Sequence, residues 1–70
     1  MANEQHAGAY QEAQKRLRHA HDQARPILEQ IEHFDNANQI YPFANNDEHV
    51  LREYEEATKH FIEQAHNYFG

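Results

Sequence analysis

Apolar residues recur through the first half of the chain at steps of three and four: Tyr10, Ala13, Leu17, Ala20, Ala24, Ile27, Ile31 and Phe34. That rhythm places all eight on one stripe of an α-helix, with Leu28 beside it. A second stripe reads Leu51, Tyr54, Thr58, Phe61, Ala65 and Tyr68, widened by Val50, Ala57, Ile62 and Phe69. No segment alternates long enough to make a strand. The pattern predicts an all-α protein.

The stripes are separated by residues 35–46, rich in Asn and Asp, which compete with helical hydrogen bonds. Pro42 disfavours helix at the residue before it. The second helix is expected to start at about residue 46 and to run to 69, capped by Asn45 or Asn46. Asn45 followed by Glu48 resembles a capping box, and Asp47 and Glu48 suit the positive end of a helix. Pro26 interrupts the first stripe, removing a bond to the carbonyl of Asp22 at a cost of about 3 kcal/mol. The apolar register nevertheless passes through Pro26 without a slip, which favours one long helix kinked there. The alternative is a break at Pro26 and a monomeric three-helix bundle.

An antiparallel hairpin turning near residue 41 pairs residues whose numbers sum to about 82. Leu17 is then expected beside Ala65, and residues 1–9 have no intrachain partner. They would be frayed or rest on a second subunit.

Composition strengthens the case for a second subunit. Of 70 residues, ten are Ala, and only 12 are Ile, Leu, Val or Phe. A single small domain of residues 1–70 so poor in large apolar side chains needs a disulfide, a metal or a partner. Cysteine is absent, so the expected architecture is a helical hairpin that pairs into a homodimeric four-helix bundle.

Chemistry is narrowed in the same way. With no Cys, no Ser and a single Thr, nucleophilic triads are excluded. Two glycines cannot form a phosphate-cradling loop. Every position of the two stripes is apolar, Ala, Thr or Tyr, so no inward-facing acid, base or metal set is expected. The chain reads as non-enzymatic, without cofactor. No apolar run approaches the roughly 20 residues that cross a bilayer, and Met1–Gln5 carries no signal-peptide character. A cytoplasmic location, in a host cell if the protein is viral, is the expectation.

Four features remain as candidate sites. Seven histidines include Glu63-Gln64-Ala65-His66, the Glu-x-x-His spacing of di-iron bundles. Glu63 lies about 170° and His66 about 110° from the stripe centre, however, so neither faces inward as a metal ligand must. Protonating all seven would move the formal charge from −6 to +1, though polar surface is the plainer explanation. Lys15, Arg16, Arg18 and Arg25 hold four of the six basic residues and form a stripe able to contact phosphates. Asp22 interrupts the stripe and no exposed aromatic lies within it, so a solvated face, or one that pairs with the acidic second helix of a neighbour, is the plainer explanation.

Glu53 and Glu56, within the acidic run Asp47–Glu56, could bind a basic partner or imitate a phosphate row. Finally, Ile40-Tyr41-Pro42-Phe43 is more apolar than a connector requires. It either folds back on Phe34, Val50 or Leu51, or presents Ile40, Tyr41 and Phe43 as docking anchors. The function expected is a small non-catalytic adaptor, regulator or inhibitor, dimeric and bound to another protein. Nucleic-acid binding through the basic stripe, or acidic mimicry of nucleic acid, stands second.

Overall fold

The computed structural model describes residues 2–70. It is a hairpin of two α-helices, α1 (Ala7–Asn36) and α2 (Asp47–Phe69), preceded by a single 3-10 turn at Glu4–His6. Among the described residues there is no strand. Both stripes turn toward the seam between the helices: Ala13, Ala20, Ala24 and Ala57 are buried and most other stripe residues are half-buried, while Ile62 and Phe69 at the margin of the second stripe are exposed. Alanine is the best helix former and its single methyl lets a neighbouring backbone come close. The middle of the hairpin is therefore held by small side chains in tight contact, and among the described residues no large side chain is fully buried.

Aromatic rings clasp the two ends. At the open end Tyr10 stacks on Tyr68 at 5.0 Å, lies 5.5 Å from Phe61, and meets the edge of Phe69 at 5.4 Å. At the loop end Phe34 packs edge-on against Tyr41 at 5.5 Å, and Tyr41 against Phe43 at 5.3 Å. Such offset and edge contacts add about 0.5–1.5 kcal/mol each beyond the area they bury.

α1 runs unbroken through Pro26, so the three-helix alternative does not hold. Pro26 and Asp22 both lie on the exposed side of α1, where water can satisfy the carbonyl that the missing N–H leaves free. α1 ends at Asn36, and two residues on, Asn38 takes a left-handed φ of 57°. There the Gln39 N–H donates to the Phe34 carbonyl (2.8 Å) and the Asn38 N–H to that of Asp35 (3.0 Å). This bond pair closes many helices, and Asn tolerates the conformation better than any residue but Gly.

The pairing register differs from the sequence expectation. Arg16 meets Glu53, Tyr10 meets Phe61 and the Asn3 N–H donates to the Tyr68 carbonyl (2.6 Å), so paired numbers sum to about 70. The reason is the connector. Residues 37–46 do not turn symmetrically but double back along α1, so that Asn46 lines one groove together with Ala20 and Gln23. Extended chain advances about 3.3 Å per residue against 1.5 Å for helix, so ten residues easily retrace the last turns of α1. The returning loop, not α2, covers Phe34. The shift also supplies the N-terminal segment with a partner: Asn3 to Tyr10 lie along the end of α2 rather than unpaired.

The capping expectation is corrected as well. α2 begins at Asp47 with Asn46 before it, and Asn46 makes no side-chain cap bond. Glu48 pairs with Arg52 instead of closing a capping box (2.9 Å).

Two substitutions probe this packing by urea unfolding. Ala24→Leu wedges the helices apart and should destabilise the protein by about 1–3 kcal/mol. Pro26→Ala restores a helical hydrogen bond on the exposed face and should raise stability by about 1–3 kcal/mol.

Candidate functional site

The close approach of α1 and α2 creates a groove on each side of the seam, and the two differ in chemistry. One is lined by Gln14, Leu17, Arg18, His21, Tyr54 and Phe61, with Thr58 at its floor. The Thr58 hydroxyl donates to the Tyr54 carbonyl within α2 (2.8 Å), and the His21 ring lies 5.6 Å from Tyr54. The opposite groove is polar, lined by His19, Gln23, Asn46, His49 and Glu53 with Ala20 and Val50 beneath.

The polar side is bridged by one bidentate ion pair. Arg16 Nε and Nη2 donate to Glu53 Oε2 and Oε1 at 2.9 and 3.0 Å. These hydrogen bonds lower the Glu53 pKa from its ordinary value and raise that of Arg16, with the nearby positive potential of His49 and His19 acting on Glu53 in the same direction. The pair joins a residue from the basic stripe to one from the acidic run. Arg16 and Glu53 thus engage each other across the hairpin rather than standing free for outside partners.

The remaining stripe residues divide. Arg25 pairs with Glu29 one turn on (3.2 Å), and Lys15 lies 3.9 Å from Glu12. Arg18, on the rim of the apolar groove, forms no ion pair among the described residues. Glu56 is exposed on the same side of α2 as Glu53. Glu63 and His66 are exposed too, and no group of three or more His, Cys, Asp or Glu able to hold a metal occurs among the described residues.

The loop carries the other candidates, and it separates them. Asp47, the first residue of α2, reaches back with one carboxylate oxygen, Oδ2. That atom accepts from the Tyr41 hydroxyl (2.8 Å) and from the Ala44 N–H (3.0 Å). Donation to the carboxylate, reinforced by burial and charge, raises the Tyr41 pKa. Tyr41 is therefore an anchor inside the fold, held by Asp47 and by the ring of Phe34. Ile40 and Phe43, its neighbours, point outward: they are 94% and 59% exposed. Sequence reasoning grouped the three as one apolar unit. The Asp47 clamp was missed because a carboxylate at the start of a helix reads first as a dipole complement.

No helix of the described residues is long and apolar enough to cross a membrane. No protein-family model, curated protein or solved structure matches this chain.

The Arg16–Glu53 pair predicts a pH signature. A carboxylate with a lowered folded pKa contributes stability above its unfolded value near 4.5, and that contribution is lost as pH falls through the folded value. Glu53→Gln should therefore lower stability at neutral pH and show a shallower acid transition than the parent chain. Thermal melts between pH 7 and 2 check this. Parallel curves for the two proteins would show that the pair contributes nothing.

Proposed function

We propose that the chain is a non-catalytic protein-interaction module, an adaptor, regulator or inhibitor, that acts as a helical dimer and binds another protein through its loop. The observation that carries the loop assignment is Ile40, a large apolar side chain left 94% exposed on a segment fixed on both sides. Asn38 and its two backbone bonds set the loop where it leaves α1, and Asp47 holds it where it enters α2. Apolar anchors on a pre-shaped loop bind without a large cost of ordering, which is how docking hot spots gain affinity. Phe43 extends the patch, and the exposed Glu56 adds acidic character along α2 for a basic partner, Glu53 being engaged by Arg16.

Nucleic-acid binding is supported less well, because Lys15, Arg16 and Arg25 already face carboxylates within the chain. Mimicry of nucleic acid loses Glu53 to the same pairing.

Affinity capture on immobilised protein tests the loop, with Ile40→Asp and Phe43→Asp compared to Gln23→Glu in the polar groove. The loop variants should lose the captured partner, a fall of at least about tenfold in affinity. Ile40→Asp should leave the thermal midpoint nearly unchanged, as exposed substitutions do within about 0.5 kcal/mol. Equal capture by all variants would overturn the loop assignment. A duplex bound at physiological salt and released by Arg18→Glu would favour the basic stripe instead.

A further inference from the structure

Apart from Ile40 and Phe43 on the loop, the exposed large apolar side chains lie on one side of the hairpin. Thr58, Ile62, Ala65 and Phe69 follow at steps of four, three and four, which aligns them along one edge of α2. Thr58 is part of the apolar groove and Phe69 meets Tyr10, so this edge belongs to the groove side. On α1, Tyr10, Gln14, Leu17, His21 and Leu28 form the matching edge. Ile62, Phe69 and Leu28 are 61%, 60% and 37% exposed. The opposite groove holds His19, Gln23, His49 and Glu53, closed by the Arg16–Glu53 pair.

The surface area is what a second copy would have to cover. A folded monomer of 8.3 kDa is expected to expose about 4,600 Å². This chain exposes 5627 Å². The excess, about 1,000 Å², matches what one partner gives up in a stable protein–protein interface, about 800 Å² or somewhat more. An elongated shape of 47 × 21 × 14 Å accounts for it: one dimension is barely thicker than a single helix with its side chains. A second layer of two helices would restore an ordinary thickness.

We propose that a second copy of this chain covers the face formed by Leu17, Leu28, Tyr54, Phe61, Ile62 and Phe69, giving a four-helix bundle whose second core is this face. The inference rests on the dimeric reading above and adds which side is buried. Gln14, Arg18 and His21 supply the polar rim that such interfaces carry. The polar groove and the Ile40–Phe43 loop remain open to other proteins.

Sedimentation equilibrium at roughly 0.1 mM and neutral pH, with circular dichroism on the same samples, tests this. The parent chain should sediment at twice 8.3 kDa. Ile62→Glu should weaken association at least tenfold, and Gln23→Glu in the opposite groove should leave it unchanged. A photo-crosslinker at position 14 should join two copies, and one at position 23 should not, which reads the face without disturbing folding. A monomeric parent chain that is fully helical would overturn this inference together with the dimeric reading. A dimer that crosslinks through position 23, or ignores Ile62→Glu while remaining folded, would overturn the assigned face alone.

Discussion

The contact of two helices across Ala13, Ala20, Ala24 and Ala57 constrains everything else in this molecule. Four methyl groups bury little area, but they bring two backbones close enough for long side chains on the flanks to meet. That proximity lets the Arg16 fork span to both oxygens of Glu53. It also leaves no room between the helices for Leu17, Tyr54 or Phe61, which lie along the edge of the seam, half-buried. Small residues inside and large ones at the margins are two sides of one packing solution.

The ends of the hairpin follow a different rule. Where the helices are not held by alanines, rings take over: Tyr10 with Phe61, Tyr68 and Phe69 at one end, Phe34 with Tyr41 and Phe43 at the other. The loop end depends on Asp47, which performs two tasks with one oxygen by accepting from Tyr41 and from Ala44. The connector becomes a fixed element of structure. Its outward residues, Ile40 and Phe43, are consequently displayed rather than mobile extras of a long turn.

Charge is arranged to serve this geometry. The basic cluster Lys15–Arg25 in the first part of α1 and the acidic excess of α2 suggest two rival outside partners when each helix is considered alone. Once folded, part of each is engaged with the other, as Arg16 with Glu53, or with its own helix, as Arg25 with Glu29. The surface left over is an apolar face, a polar groove and an apolar loop tip. The protein-binding function proposed above rests on these features.

Helix content and the inward stripes were legible in the sequence because periodicity is a local property: spacing of three and four needs no knowledge of the partner. Continuity through Pro26 was legible in the unbroken register, although the local penalty argued the other way. The capping box at Asn45 was read and did not form, because Asp47 found loop donors and Glu48 found Arg52. The pairing register was not legible at all. It depends on whether residues 37–46 turn or double back, and that is decided by Tyr41 reaching Phe34 and Asp47, contacts made only once the chain has folded. The sequence by itself determined two amphipathic helices and their buried stripes. The tertiary structure decided which residues meet across them, and so which apolar and charged groups are left facing outward.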